Sequence, residues 1–456
     1  MSLFRTALPY LLVGYFLWRA RTQRVFVLGI PFLMFMGASL FFDDSKLFYT
    51  PGSWDRNLHL FLWLFIAWFV AVKLDNLLAG RQMNPAYHDQ NRYTAIELPM
   101  LILLLILIFN FVRNMVDYRD FFATGEEVIS PLGLFVGYMM IKGILANSKQ
   151  SDVVDFLDAI VVVHTLAATL YLLHQGLQIS IFKQAEYYQR TFRGEEITRT
   201  FWFMPVLLPS AILYTLAKKK QSIVTMIILV INGAALFITY TRSLFVITFL
   251  LALLMYFIEG LKEKKIGKVL RRYFVLAASA AVFTWVFVTL FPVQTQFFIQ
   301  RARPLFEGAP TSEKSNSLVV RLYDAQSVLR RVDASDRFLG VGFPNDRQHP
   351  EVFWMKRTTA DSVWTGVIFH FGVIGAVLFL VLYLSYALRS YQLYMRASGS
   401  GEYLALAGFL VVVALFFEGF VSWTYMRPDK GFFAFWYFAL VAVESNRYRF
   451  GGGKAS

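Results

Sequence analysis

The chain has 456 residues, of which 57% are hydrophobic and only 16% are charged, with a formal net charge of +14. Soluble proteins carry roughly a quarter charged residues, so these values and a mean hydropathy of +0.51 exclude an ordinary soluble protein. The sequence predicts one all-α, polytopic membrane domain. The positive charge favours anionic lipid or a phosphorylated substrate as partner, and so apolar a chain argues against nucleic acid. The absence of cysteine excludes disulfides and thiolate chemistry.

Apolar runs recur along the whole chain. Because a span needs about 20 mostly apolar residues, the runs predict about 12 or 13 transmembrane helices. The first run is short and carries Arg5, so it is a full crossing, a tilted helix or an interfacial one; no small-residue cleavage site follows it, which argues against a signal peptide. The candidate spans are 3–18, 25–42, 58–73, 96–112, 129–145, 153–173, 201–217, 222–240, 243–258, 273–291, 363–388, 404–421 and 432–444.

Lysine and arginine in the short loops predict the orientation of these spans. The basic stretches Lys218–Lys220 and Lys262–Arg272 fall on one side, which is therefore the predicted cytoplasmic side. We expect ten helices with short loops in residues 1–291, a long outer loop at 292–360, C-terminal spans at 361–446 and a cytoplasmic tail at 447–456. Apolar spacing within Ser317–Val332 predicts an amphipathic helix in the long loop, and Gly340 and Gly342 predict turns after it.

The predicted outer loops carry more arginine than this orientation rule would give them. One loop contains Arg190, Arg193 and Arg199, and the long loop contains further arginines, among them Arg321 and Arg357. Two interpretations stay open for each arginine. It either pairs with nearby carboxylates on a solvated surface or binds an anionic ligand.

Arg242 stands where two long apolar runs meet with almost no loop between them. An arginine at such a junction is costly unless it faces a polar cavity or reaches the interface with its long side chain. Its planar fork of donors suits phosphate. Together with Arg190, Arg193 and Arg199 across one cavity, it would stabilise a departing diphosphate without a metal.

Asp361 directly precedes the apolar run that begins at Val363. It is either a helix N-cap, for which aspartate is favoured, or a general base whose proton affinity is raised by partial burial. Farther along the run, the spacing of Gly372 and Gly375 predicts close helix packing.

The histidines show no spacing typical of metal ligands, so we expect neither a metal nor a cofactor. Those in or beside apolar spans, including His164 and His370, are interpreted as core or interfacial residues.

The order of these motifs resembles the O-antigen ligase and Wzy-type polysaccharide polymerase superfamily. The similarity covers about residues 180 to 390. It implies a helical glycosyltransferase of the GT-C type in the bacterial inner membrane, with an inverting active site on the periplasmic side. The motifs are Arg193-Gly194, Thr241-Arg242-Ser243, Arg321-Leu-Tyr-Asp-Ala325, Gly340-Val-Gly-Phe343, Asp361-Ser362 and Phe371-Gly-Val-Ile-Gly375.

The resemblance also implies roles for individual residues. Arg193, or its neighbour Arg190, Arg242 and Arg321 would contact a diphosphate or the adjacent sugar. Many ligases have His-Asn where this chain has Asp361-Ser362, which favours a polymerase over a ligase and leaves the base to be argued on Asp361. The complete predicted site has Arg193, Arg242 and Asp361 as catalytic residues, and Arg190, Arg199, Arg321, Arg357 and Tyr323 as substrate-binding residues.

The predicted function is polymerisation of a glycan carried on undecaprenyl diphosphate. The donor is the lipid-linked glycan, the acceptor is a lipid-linked repeat unit, and membrane lipids and a chain-length regulator protein are further expected partners. Two alternatives remain. A ligase would transfer the same donor to lipid A core, and a flippase or other transporter for lipid-linked oligosaccharides would also have about 12 helices and a basic cavity.

Overall fold

A computed structural model describes the larger part of the chain. The described residues are 2–37, 64–74, 86–119, 121–176, 187–192, 195–200, 207–218, 222–238, 242–264, 336–343, 363–420 and 428–450, together with residue 62 and scattered positions between 267 and 299. Of the long loop at 292–360, the described residues are mainly 336–343.

Helices make up most of the described chain, and each of the main helices listed below overlaps a predicted span. A 3-10 turn at Arg24–Leu28 precedes the second helix, and a short apolar helix covers Leu64–Lys73. The main helices are α1 (Ser2–Ala20), α2 (Gly29–Gly37), α3 (Leu98–Tyr118), α4 (Phe121–Ala146), α5 (Gln150–Gly176), α6 (Leu207–Ala217), α7 (Ile223–Ile238), α8 (Arg242–Glu263), α9 (Val363–Arg396), α10 (Ser400–Glu418) and α11 (Pro428–Phe450).

Five stretches among the described residues are long and apolar enough to cross a membrane. They confirm the predicted class, an all-α polytopic membrane protein. The total of 12 or 13 spans stays a prediction, because several predicted spans lie partly outside the described residues. The five stretches are Ala95–Asp117, Gln150–Leu173, Leu244–Glu263, Val363–Arg396 and Ser400–Glu418.

Two helix pairings organise the core: α9 packs along α10, and α4 packs along α11. An aromatic cluster joins distant parts of the sequence. The ring of Phe156 on α5 lies 5.4 Å from the rings of both Phe26 and Phe32, and Phe32 lies 5.7 Å from Trp436 on α11. These rings meet nearly edge to face, the arrangement that aromatic quadrupoles favour. The 3-10 turn and α2 near the beginning of the chain therefore share one core with α5 and α11.

A buried network around one ion pair connects the N-terminal end of α3 with α4 and α9. Lys142 Nζ lies 2.7 Å from Glu97 Oε1, and the two side chains are only 1% and 0% exposed. Tyr138 donates a hydrogen bond of 2.6 Å to the same carboxylate oxygen, and its own oxygen lies 3.1 Å from the hydroxyl of Tyr386 on α9. The other carboxylate oxygen accepts the backbone N–H of Thr94 at 2.8 Å, as in a capping box. Every charge in this network has a partner, as burial in a membrane domain requires.

Arg447 on α11 forms hydrogen bonds with the backbone at the carboxyl end of α4. Its Nη2 donates to the carbonyl of Leu145 at 2.8 Å and also to that of Ser148. A cation at the carboxyl end of a helix satisfies carbonyl groups that lack partners within the helix. The residue lies in α11, which continues to Phe450, so the helix extends past the predicted start of the tail at 447.

Replacing Lys142 by Met tests the buried network. We expect Lys142→Met to lower the free energy of unfolding by about 3 kcal/mol or more, because it leaves Glu97 buried without its counter-charge. Unfolding in detergent, followed by tryptophan fluorescence, measures the change. The matched control is Lys218→Met, which breaks a pair with Asp158 whose side chains are 30% and 40% exposed, and for which we expect about 1 kcal/mol or less. Equal effects of the two substitutions would contradict the prediction.

Candidate functional site

The segment Asp336–Phe343 in the second half of the long loop, here called the docking segment, is inserted between α3 and α9. It begins with a short helical turn, Asp336–Leu339. The N–H of Gly340 donates to the carbonyl of Asp336 at 2.7 Å, and the segment ends on the buried ring of Phe343. Gly340 and Gly342 have φ values of 81° and 84°, so the chain leaves the helical conformation at these two glycines, where the sequence predicts that the helical pattern breaks.

Helix α9 is interrupted where the docking segment meets it. Gly372 has φ 67° and ψ −167°, which is not helical. One turn earlier, the carbonyl of Phe369 accepts a hydrogen bond of 2.8 Å from the N–H of Val341 in the docking segment. In an uninterrupted helix this carbonyl would serve the N–H four residues farther on. The break therefore turns part of the helix backbone towards the loop.

Two glycines permit this close approach. A Cβ atom on Gly372 would stand 2.3 Å from the carbonyl oxygen of Phe338, and one on Gly340 would stand 2.4 Å from the carbonyl carbon of His370. Both contacts are with backbone, which cannot swing aside as a flexible side chain can. This corrects the expectation that Gly372 serves close helix packing. A small residue is needed here because the loop backbone passes directly against a break in the helix.

Polar side chains of α3 hold the docking segment in place. The amide nitrogen of Asn110 donates to the carbonyls of Leu339, at 2.8 Å, and His370, at 3.0 Å. Arg113 donates to the carbonyl of Gly340 at 2.6 Å and forms an ion pair of 3.1 Å with Asp336. Asn110 is fully buried. A buried amide that bridges α9 and the loop ties the two together, because breaking either bond would leave polar groups unsatisfied.

His370 on α9 holds the other end of the docking segment. Its Nδ1 lies 2.6 Å from the carbonyl oxygen of Gly342. Because a carbonyl only accepts, Nδ1 carries the proton and donates. The imidazole is 5% exposed and stacks on the ring of Phe343, with centroids 4.5 Å apart and planes 8° apart. This histidine is a core residue, as predicted, and its hydrogen bond goes to the loop instead of to its own helix.

The predicted arginine loop contains a hairpin that the sequence analysis did not predict. Strands β1 (Tyr187–Phe192) and β2 (Glu195–Thr200) pair antiparallel, with Arg190 opposite Ile197 and Tyr188 opposite Arg199. Positions 190 and 199 therefore belong to the same face of the ribbon. Arg193 falls between the strands, outside the described residues.

Most other predicted site residues also lie outside the described part of the chain: Arg321, Tyr323, Arg357 and Asp361, and with them the amphipathic helix predicted for Ser317–Val332. Arg242 is the first residue of α8. The convergence of the arginines on one cavity stays a prediction.

The start of α9 is anchored close to Asp361. The N–H of Val363 donates to the carbonyl of Gly419, beyond the end of α10, at 2.9 Å. The docking segment ends at Phe343 and α9 begins at Val363, so residues 344–362 connect two fixed points. Arg357 and Asp361 belong to that connection.

The sequence analysis missed Asn110, Arg113 and the docking role of His370. One signal was present: Asn110 and Arg113 are polar residues spaced by three at the end of an apolar run, so both fall on one helix face. Polar residues inside a span generally face protein or a polar cavity. Their partners, however, are more than 220 residues away along the chain.

These features define a class: a polytopic helical membrane protein in which a segment of the long loop binds to a transmembrane helix at a break in that helix. Comparison with known families makes the class specific. Residues 226–380, about a third of the chain, match the family model Wzy_C, described as O-antigen ligase. This stretch is therefore similar to O-antigen ligases, and the predicted resemblance to the O-antigen ligase/Wzy superfamily is confirmed. The family is glycosyltransferase-like, which supports an enzyme. No curated protein matches the chain.

Substituting Gly372 tests the docking geometry. We expect Gly372→Ala to displace the docking segment, because the added Cβ would stand 2.3 Å from a backbone oxygen at a positive φ. Unfolding of the purified protein in detergent should show a loss of about 2 kcal/mol or more. The control is Gly233→Ala in α7, where a Cβ meets nothing within 4 Å and where we expect stability to be kept or slightly raised. A stable Gly372→Ala protein would show that the close approach is not required.

Proposed function

We propose that the protein is a polysaccharide polymerase, which transfers a glycan from undecaprenyl diphosphate to a lipid-linked repeat unit at the periplasmic face of the bacterial inner membrane. The observation that carries the proposal is the O-antigen ligase match at 226–380. That stretch contains Arg242, the docking segment, Asp361 and the break at Gly372. The anchoring of the loop on both sides of Asp361 supports a site at this end of α9.

In the proposed reaction, a hydroxyl of the acceptor attacks the anomeric carbon of the donor glycan. The bond from that carbon to the diphosphate oxygen breaks, and undecaprenyl diphosphate leaves with the electron pair. Direct displacement inverts the anomeric centre without a covalent enzyme intermediate. The proton of the attacking hydroxyl passes to the carboxylate of Asp361, which is the proposed general base.

The arginines supply the electrostatic part of this mechanism. Charge develops on the diphosphate as it departs, and guanidinium groups fixed beforehand stabilise such charge most strongly where water is scarce. We assign this role to Arg193 and Arg242, with no need for a metal. The remaining proposed residues bind and orient the glycan; they are Arg190, Arg199, Arg321, Arg357 and Tyr323.

A ligase is the second candidate, because the matched family is described as O-antigen ligase. It would use the same donor and the same arginines, with lipid A core as acceptor. The pair Asp361-Ser362, found where many ligases have His-Asn, favours the polymerase.

The acceptor requirement separates these functions. Purified protein in liposomes receives the lipid-linked repeat unit alone, and the products are separated by size. We expect a ladder of longer glycans, with activity retained in excess chelator. Products that form only after lipid A core is added would identify a ligase, and intact lipid that crosses the bilayer without reacting would identify a transporter. Loss of activity in chelator that magnesium restores would contradict the metal-independent mechanism.

Two substitutions test the proposed roles in the same assay. Arg242→Ala removes a donor to the departing diphosphate, and we expect kcat to fall about 100-fold or more. Asp361→Asn keeps the N-cap capacity but removes the base, with an expected loss of about 100-fold. The control is Arg271→Ala, an exposed arginine on the predicted cytoplasmic side, which we expect to leave kcat unchanged. Full activity of Asp361→Asn would show that Asp361 serves as a helix cap and not as the base.

A further inference from the structure

We propose that His370 is a positioning residue for glycan transfer. It holds the docking segment against α9 and thereby fixes the loop residues on both sides of that segment. The inference rests on the proposed function, since it names a residue that prepares the same site. His370 itself does not touch substrate in this proposal; it acts through the loop backbone.

The Nδ1 hydrogen bond of His370 goes to the long loop and not to a neighbouring helix. A polar side chain in a membrane span is costly unless it is bonded. His370 is 5% exposed, and its Nδ1 donates 2.6 Å to the carbonyl of Gly342, a residue of the long loop. The stacked ring of Phe343 restricts the imidazole further. An apolar side chain would fill this position without the desolvation cost, so the donor is the feature that needs an explanation.

The docking segment lies between two parts of the long loop that carry proposed site residues. On one side, residues 344–362 run from Phe343 to Val363. The first end of this connection is held on α9 by the bond from His370 to Gly342, and the other end is the start of α9, where Val363 bonds to Gly419 beyond α10. Asp361 lies within this connection. On the other side, the part of the loop that carries Arg321 reaches the docking segment at Asp336, which pairs with Arg113.

Releasing the docking segment would therefore free proposed site residues from both directions at once. A displacement of about 1 Å from the productive geometry can reduce a rate about 100-fold. The loss should fall on kcat, because the groups remain present and can still bind donor but no longer hold the geometry of the reaction. KM should change little.

Two variants separate the hydrogen bond of His370 from its ring. His370→Phe keeps a planar ring for stacking on Phe343 but removes the donor. His370→Asn removes the ring and keeps a donor near the position of Nδ1. We expect kcat to fall at least 10-fold in His370→Phe and less in His370→Asn, with KM within about threefold of the wild type.

A spin label reports the docking directly. The chain has no cysteine, so a single Phe338→Cys substitution, at a side chain that is 64% exposed, can be labelled selectively with a nitroxide. We expect a restricted electron paramagnetic resonance spectrum in the Phe338→Cys protein and a mobile one after His370→Phe is added. The matched control is His164→Phe, which removes another buried histidine, bonded to Asn232 on α7 and not to the docking segment. The label should stay restricted in that control.

The outcomes are distinct. A mobile label and a lower kcat in His370→Phe, with partial recovery in His370→Asn, would support the proposal. It is overturned by a label that stays restricted, by a mobile label with unchanged kcat, or by an equal loss of kcat in His164→Phe. Where His370→Phe does not fold, His370→Gln, whose donor is displaced from the Nδ1 position, replaces it under the same criteria. A wild-type protein that transfers no lipid-linked glycan would overturn the proposed function itself, whereas the other failures leave that function standing.

Discussion

A break in a membrane helix uncovers backbone groups that lipid cannot satisfy, and the architecture around α9 follows from this constraint. At Gly372 the helix is not continuous, and polar partners come from elsewhere in the chain. The carbonyl of Phe369 accepts from the loop, and the carbonyl of His370 accepts from Asn110 on α3. The docking segment therefore completes the hydrogen bonding of the broken helix, and α9 and the docking segment form one structural unit.

Helices α3 and α9 are connected at two positions along their length. Near the start of α3, Glu97 binds Tyr138, which in turn contacts Tyr386 on α9. Near its other end, Asn110 binds the backbone of α9. At a rise of 1.5 Å per residue, these two connections are about 20 Å apart along α3. Two polar connections at that separation fix both the register and the relative rotation of the helices, which gives the docking segment a rigid platform.

Hydropathy predicted the helices well, because length and apolar content alone decide whether a segment can span a bilayer. The predicted spans at 96–112 and 363–388 correspond to α3 and α9. The break at Gly372 was not predictable in this way, since a small residue looks the same in sequence whether it serves helix packing or a positive φ. The bond from Asn110 to Leu339 joins residues 229 positions apart, and no local pattern encodes such a contact. The hairpin at 187–200 was missed because its strands carry charged and polar residues that read as a solvated loop.

Under the proposed mechanism, the difference between the two helices α3 and α9 and the long loop that is bound to them bears on what distinguishes a polymerase from a ligase. Both would use the same lipid-linked donor, so both need the same arginines and the same platform of α3 and α9. They differ in the acceptor, which must approach the anomeric carbon from the side opposite the diphosphate. The feature that favours polymerase, Asp361-Ser362, lies in the connection 344–362, between Phe343 in the docking segment and Val363 at the start of α9. Under this proposal, substitutions within the connection change the acceptor preference and leave the bonds between α3 and α9 in place, because loops tolerate variation better than the helices that they connect.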